Sequence, residues 1–219
     1  MIKRVIGLHF SPNGGTAKII ERITRDLAID LDSYLASDVE YACYDMLEAI
    51  NEQPVIDEEA VVIIGMPVHI GKIPLPAIRL LRELNGKGAL TIALVSYGTA
   101  TYGNALYELY SYAEERGFTI IGAGAFIAKH GRKNSVHLLR PDLDDIEAME
   151  EFCRAISHKL KRLSGSEVAG LRLKPAPLMI EGKMPVHKVS RFSPRAAEVA
   201  EHTFERANIV IRRKPEWFL

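Results

Sequence analysis

Cysteine is scarce in this chain, which has only Cys43 and Cys153 among its 219 residues. Two isolated cysteines do not form a disulfide framework, and a protein-bound iron–sulfur cluster usually needs four thiolate ligands. We therefore interpret both as small buried apolar residues. The seven histidines also lack the spacing of metal ligands. We expect a cytoplasmic protein without a metal site.

A net charge and a long hydrophobic run are missing as well. Lysine and arginine together number 28, as do aspartate and glutamate, so no overall field draws the protein to nucleic acid or to anionic lipid. The longest apolar run, residues 60–68, is too short to span a bilayer, and the apolar stretch near the N-terminus ends in a turn. We expect neither a nucleic acid nor a membrane as a partner.

What the chain does contain is an alternation of short apolar segments with amphipathic ones. Apolar runs predict strands at residues 5–8, 39–44, 60–65, 89–97 and 118–126. Most of them are followed by residues at helical spacing, and Asp142 is typical of the cap of a last helix, which we expect to end near Leu163. Strands buried on both faces indicate a parallel sheet covered by helices, so the predicted class is a doubly wound α/β domain.

Residues 164–219 depart from this alternation. Ser164, Gly165 and Ser166 predict a break, and an irregular, proline-containing stretch continues to residue 191. A helix capped by Ser193 and an apolar triplet at residues 209–211 follow. We predict that residues 1–163 form the main domain and that residues 164–219 form an extension, which packs on the core or takes part in a homodimer.

Three loops at the predicted carboxyl ends of strands are candidate binding sites, because open α/β sheets bind ligands at that edge. The first loop opens a helix, whose free N–H groups and dipole favour an anion. It contains no lysine or arginine and lacks the pattern of ATP-binding loops, which suits a phosphate that is anchored and not transferred. An ordinary glycine-rich turn is the alternative. Its candidate phosphate contacts are Ser11, Asn13, Gly14, Gly15 and Thr16.

The second and third loops follow the third and fourth strands. Prolines and glycine restrict the shape of the second loop, whose backbone N–H groups can face the edge of a ring, and tyrosines of the third loop can stack on one. The alternatives are a rigid turn before a helix for the second loop and a surface loop covered by its tyrosines for the third. The candidates are Pro67, Val68, His69, Ile70 and Gly71 in the second loop and Tyr97, Gly98, Tyr102, Gly103 and Asn104 in the third.

Residues 11–16 resemble the phosphate loop of the flavodoxin family, (S/T)-x-T-G-x-T, with Asn13 in place of the middle threonine. The order of a phosphate loop, a proline–glycine loop and a tyrosine–glycine loop is also similar. Residues 1–163 are most similar to the flavodoxin half of ferroflavoproteins, in which a ferredoxin domain is fused to a flavodoxin domain; residues 67–74, 126–130 and 140–142 carry much of this similarity. The resemblance implies a five-stranded parallel sheet in the order 2-1-3-4-5.

The same resemblance implies that the protein binds FMN and acts in electron transfer. The first loop would hold the phosphate, and the second and third loops would surround the ring. His69 and His130 are candidate proton donors to the ring. No ferredoxin-type cysteine motif follows residue 163, so we expect a separate redox partner protein, such as a ferredoxin.

Two alternatives stay open at this point. Flavodoxin-like scaffolds also support NAD(P)H-dependent quinone or azo reductases, and Arg191, Arg195, Arg212 and Arg213 could then support a dimer or bind the nicotinamide phosphate; solvated surface charge is the simpler interpretation of these arginines. The scaffold can also be a non-catalytic interaction module, because a fold alone does not imply a function. We favour an FMN-dependent oxidoreductase or electron carrier over both.

Overall fold

One mixed sheet with helices on both faces forms the centre of the computed structural model, which describes residues 2–35, 38–48, 54–98, 101–129, 140–168, 175–185 and 216–219. The strands are β1 (Arg4–His9), β2 (Glu40–Asp45), β3 (Ala60–Pro67), β4 (Leu90–Tyr97), β5 (Thr119–Ile127) and β6 (Glu216–Phe218). The helices are α1 (Gly15–Leu35), α2 (Leu75–Glu83), α3 (Ala105–Glu115) and α4 (Leu143–Val168).

The strand order is β2-β1-β3-β4-β5-β6, with the first five strands parallel and β6 antiparallel to β5. The predicted α/β class and the flavodoxin-like order 2-1-3-4-5 are confirmed. Strand β6 is not predicted from the sequence, because three residues are too few to show an alternating pattern. Glycines of β5 leave space beside this strand: a Cβ added at Gly124 would lie 3.4 Å from the Cβ of Trp217.

Two apolar cores lie on opposite faces of the sheet. Successive strand residues point to opposite faces, so Val61 and Ile63 pack in the core under α1 and α4, whereas Val62 and Ile64 pack in the core under α2 and α3. All four are fully buried, which confirms the prediction of a central strand covered on both sides. The side chains of Ile19, Ile23, Phe152 and Ile156 close the first core, and those of Ile78, Leu81, Leu106 and Leu109 close the second.

Helix α4 begins as predicted and ends later than predicted. Asp142 Oδ1 accepts a hydrogen bond from Asp145 N at 3.1 Å, and Asp145 Oδ2 accepts one from Asp142 N at 2.9 Å, so the cap is reciprocal. The predicted end near Leu163 is wrong, since the helix runs to Val168. A single glycine costs a helix only about 1 kcal/mol, and Gly165 with its serine neighbours is too weak a break to stop α4.

The order of the strands places the candidate site at the carboxyl edge of the sheet. β1 lies between β2 and β3, so the chain crosses to opposite sides of β1 and leaves a crevice at its carboxyl end. The loops after β1, β3 and β4 all leave the sheet at this edge. The predicted helix at Ser193, the triplet at 209–211 and the tail arginines lie outside the described residues, and the division into a main domain and an extension stays a prediction. Among the described residues, no helix has the length and apolarity needed to cross a membrane.

Candidate functional site

The first loop is shaped by hydrogen bonds between residues close in sequence. Ser11 Oγ accepts a hydrogen bond from Ala17 N at 2.9 Å, and Gly14 N donates to Ser11 O at 3.0 Å. Gly14 has a φ of 72°, in the left-handed region that glycine adopts without strain. Ser11 is buried despite its hydroxyl, because this group caps the start of α1. The loop therefore ends directly in the N-terminus of α1.

Three backbone donors of this loop have no hydrogen-bond partner in the described part of the chain. Among the described residues, the N–H groups of Asn13, Gly15 and Thr16 make no hydrogen bond. They surround the N-terminus of a 21-residue helix whose first turn contains no acidic residue. Such a terminus carries about half a positive charge, so the loop has both the donors and the field that a phosphate requires.

A buried histidine lies directly before this loop and was not singled out from the sequence. His9 ends β1 and is only 6% exposed, and its Nδ1 atom has no hydrogen-bond partner in the described part of the chain. A buried polar atom without a partner is rare and calls for a ligand or a water molecule. The available signal was a polar residue at the end of an otherwise apolar strand, just before a glycine-rich loop.

The second loop is a tight hairpin. His69 N donates to Lys72 O at 2.8 Å and Lys72 N donates to His69 O at 3.2 Å, so Ile70 and Gly71 are the two central residues of the turn. Their φ angles are 52° and 71°, and two positive values define a type I′ turn. A left-handed β-branched residue is unfavourable by about 1–2 kcal/mol, and Ile70 is also 71% exposed. Strain combined with an exposed apolar side chain is typical of a ligand-binding position.

The second and third loops touch through two glycines. A Cβ added at Gly103 would lie 2.7 Å from both the Cα and the carbonyl oxygen of Gly71, so only glycine permits this approach. Asn104 N donates to Gly71 O at 2.9 Å. The second loop is also attached to α3, because Ile73 N donates a hydrogen bond at 2.8 Å to Oε2 of Glu108, a fully buried carboxylate of that helix. The two loops thus form one continuous wall.

Ser96, near the end of β4, joins this wall to the first loop. Its Oγ lies 2.7 Å from Oγ1 of Thr16, a buried contact between side chains 80 positions apart. Its carbonyl oxygen accepts a hydrogen bond from Val68 N at 2.8 Å. The structure therefore brings the three predicted loops together at one edge. Ser96 was not among the predicted site residues, because its role depends on a side-chain contact with Thr16, 80 positions away, that only the folded structure shows.

The two tyrosines of the third loop differ in accessibility. Tyr97 is 5% exposed and packs in the core under α3, whereas Tyr102 is partly exposed and meets the ring of Tyr97 edge-on, with the centroids 5.8 Å apart. The structure favours Tyr102 as the ring that a ligand can reach. Of the other predicted contacts, Asn13, His69 and Gly103 are exposed, and the half-buried ones are Gly14, Gly15, Pro67, Val68, Gly71, Gly98 and Asn104.

The protonation of His69 follows from its surroundings. Although His69 is an exposed residue, partial desolvation of its ring lowers the pKa of the imidazole below its ordinary value, which favours the neutral form. The second histidine predicted as a proton donor, His130, lies outside the described residues, as do residues 99 and 100 of the third loop.

A separate groove of about 600 Å³ lies between α1, β2 and the start of α4. Its arginines are paired with acidic residues: Arg22 with Asp26 and Glu150, and Arg25 with Asp26. Because these charges are already neutralised, the groove is a weaker candidate for an anion than the first loop. Within the described ranges, no three His, Cys, Asp or Glu side chains are placed to hold a metal ion.

Comparison with known proteins gives matches of the fold. No protein-family model and no curated protein sequence matches this chain. Solved structures do: a flavodoxin from the domain Archaea has 18% identity and a TM-score of 0.49, over 72% of this chain and 99% of that chain.

The structure of rubredoxin oxygen:oxidoreductase from Desulfovibrio gigas has 18% identity and a TM-score of 0.48, over 73% of this chain and 36% of that one. An azoreductase from Bacillus anthracis has 14% identity and a TM-score of 0.44, over 72% of this chain and 100% of that chain. The fold is flavodoxin-like. The strand order of this chain establishes that statement, and the function has to be argued from its own site.

Proposed function

We propose that this protein binds FMN at the carboxyl edge of its sheet and acts in electron transfer. The observation that carries the proposal is the set of N–H groups at Asn13, Gly15 and Thr16 that make no hydrogen bond among the described residues. The Thr16–Ser96 contact joins them to the wall of the second and third loops. An anion subsite beside an exposed apolar rim matches a ligand with a phosphate at one end and a planar ring at the other.

Different loops bind the two ends of the ligand. The first loop binds the phosphate through backbone N–H groups, with the Asn13 amide and the buried Nδ1 of His9 as further hydrogen-bonding groups. In the second and third loops, Ile70 and Tyr102 offer apolar surface to the ring, and the backbone of the hairpin offers polar groups to its edge. His69 of the second loop is our candidate for holding a proton at this rim.

FMN, when bound, supplies one-electron and two-electron redox chemistry. The protein orients the ring and leaves one rim accessible, since Ile70 is 71% exposed. An exposed rim suits electron exchange with a separate protein, and a ferredoxin is the partner we propose.

A single spectroscopic experiment tests the proposal. Purified protein is titrated with FMN, and binding is followed by the quenching of flavin fluorescence and by the shift of its absorbance bands. We expect saturable binding of one FMN per chain. NADPH is then added without a partner protein: slow or no bleaching supports a carrier, whereas rapid bleaching would identify a direct reductase. If saturating concentrations show no complex, the interaction-module alternative holds.

A matched pair of variants tests the phosphate subsite. Gly15 is the first residue of α1, where proline is well tolerated, so Gly15→Pro deletes one free N–H group and keeps the helix. Gly15→Ala keeps that group and adds a Cβ in ordinary contact, 3.4 Å from Lys129 O. A hydrogen bond to a charged group contributes about 1.5–3 kcal/mol, so Gly15→Pro should weaken FMN binding about tenfold or more relative to Gly15→Ala. Riboflavin, which lacks the phosphate, should bind both variants equally; an equal loss for both ligands would contradict the assignment.

A further inference from the structure

Residues 175–185, here called the strap, lie across the face of α3 and reach the candidate site. Leu178 is buried in the core under α2 and α3, and Ile180 packs against that core. Gly182 meets the ring of Tyr107 on α3 so closely that an added Cβ would lie 2.5 Å from the Cβ of Tyr107. At its far end, Lys183 N donates to Oδ1 of Asn104 at 3.2 Å. The strap therefore ends on a residue of the third loop.

Asn104 is the joint between the strap and the two ring-side loops. It precedes α3, yet its side chain makes no capping hydrogen bond to the helix, because its oxygen accepts from the strap. Its backbone N–H donates to Gly71 O at 2.9 Å, and the adjacent Gly103 touches Gly71 directly. A continuous series of contacts thus runs from the core anchor at Leu178 to the tip of the second loop.

We infer that the strap is a positioning element of the ligand site: it sets the placement of Asn104, and through Asn104 the spacing of the second and third loops. This inference rests on the proposed function for the identity of the ligand. Of the three loops, the strap contacts the third directly, through Asn104, and the described contacts of the first loop do not include it. Loss of the strap contact should weaken the binding of a flavin ring and leave the phosphate subsite unchanged.

Adjacent residues of the strap give matched variants. Leu178→Ala removes the buried anchor, whereas Met179→Ala alters a side chain that is 90% exposed. Gly182→Ala places a methyl group against Tyr107, whereas Lys183→Ala keeps the backbone N–H that Asn104 accepts. We expect Leu178→Ala and Gly182→Ala to weaken the binding of FMN and of riboflavin by the same factor, about fivefold or more, and the two control variants to bind as the parent chain does.

Hydrogen exchange of the protein without added flavin provides a readout that does not depend on FMN. The amide of Asn104, which donates to Gly71, should exchange faster in Leu178→Ala and in Gly182→Ala than in Met179→Ala, while the amide of Ala17 in the first loop should be unchanged. If FMN fails to bind the parent chain but exchange at Asn104 responds, the proposed function is wrong and the positioning role stands. If FMN binds and neither affinity nor exchange responds, the positioning role is wrong. A uniform rise of exchange across the chain would show mere loss of stability and would also overturn it.

Discussion

The first loop and the paired second and third loops are built in different ways. The backbone of the first loop is shaped by hydrogen bonds between residues at most six positions apart, from Ser11 to Ala17 and from Ser11 to Gly14, and the side chain of Thr16 adds a contact with distant Ser96. The paired loops are held by contacts between distant segments: Gly71 with Gly103, and Ile73 with Glu108, 35 positions apart. The anion subsite is thus a local structure, whereas the ring wall exists only because two strands lie side by side.

The difference predicts how the two halves respond to change. A local loop keeps its shape as long as its own helix forms, so substitutions elsewhere should leave phosphate affinity intact. A wall built from two loops fails when either loop moves. Comparing the affinities for FMN and for riboflavin separates the halves, because both ligands need the wall and only FMN needs the anion subsite.

The largest effect is expected from separating the two ring-side loops. Gly103→Ala places a methyl group 2.7 Å from the backbone of Gly71 at a φ of 55°, so close contact and left-handed strain add to about 3 kcal/mol of lost stability. Binding of FMN and riboflavin should both be lost. The control is Gly88→Ala, at a φ of 81° with nothing within 4 Å: it should lower the melting temperature slightly and leave both affinities unchanged. Equal behaviour of the two variants would show that the loop contact is unimportant.

A smaller loss should follow from removing the buried carboxylate under the second loop. Glu108→Ala leaves the buried N–H of Ile73 without its acceptor, which costs about 1–3 kcal/mol, whereas Glu108→Gln keeps an acceptor oxygen in place. We expect chemical denaturation to show this order, and flavin affinity to fall with it. Exposed Glu115 on the same helix serves as the control for loss of a negative charge. If Glu108→Gln were as damaging as Glu108→Ala, charge and not hydrogen bonding would hold the loop.

The contact that joins the two halves can be measured by a double-mutant cycle. Thr16→Ala and Ser96→Ala each remove one hydroxyl group of the buried 2.7 Å contact, and the double variant removes both. We expect a coupling free energy of about 1 kcal/mol in urea unfolding, since the contact is buried and neutral. A coupling near zero would mean that the anion subsite and the ring wall are energetically independent.

The smallest expected effect is the pH dependence contributed by His69. Its pKa is lowered by desolvation, so the unfolded chain takes up a proton first as the pH falls through about 6.5. The folded state is therefore less stable below that value, and the contribution vanishes above it. The slope of stability against pH between 7 and 5 should be shallower in His69→Gln than in the parent chain. An unchanged slope would show that this imidazole is as well solvated in the folded state as in the unfolded one.

Much of the fold could be read from the sequence because its signals are local. The apolar run of β3 and the helical spacing after Ala17 depend on neighbouring residues alone, and the Asp142 cap formed as expected. Signals were weakest where a segment is short or where a break is only moderately unfavourable. Strand β6 was not predicted because it has only three residues. Helix α4 continues past Gly165 because a single glycine is only moderately unfavourable in a helix.

The residues of the candidate site that could be predicted are those whose signals are likewise local in the sequence. The predicted anion loop needed only its glycines, its serine cap and the helix that follows, all contiguous in the chain. Ser96 and Glu108 were not predicted, because each contacts a segment far away in sequence. His9 was not predicted either, because only the folded structure shows that its side chain is buried and that Nδ1 has no partner among the described residues. Which of Tyr97 and Tyr102 a ligand can reach likewise depends on how deeply each ring is buried, and only the packing of the folded chain decides that.

The sequence by itself therefore determined a strand, a glycine loop and a helix start that favour an anion, since capping and helix dipoles act within one turn of the chain. Only the tertiary structure decided that Gly71 meets Gly103, that Ser96 joins all three loops, and that the strap ends on Asn104. The physical reason is that these contacts depend on which strands are neighbours and on side-chain fit between layers. Both are set by the burial of the whole sheet and not by any single segment.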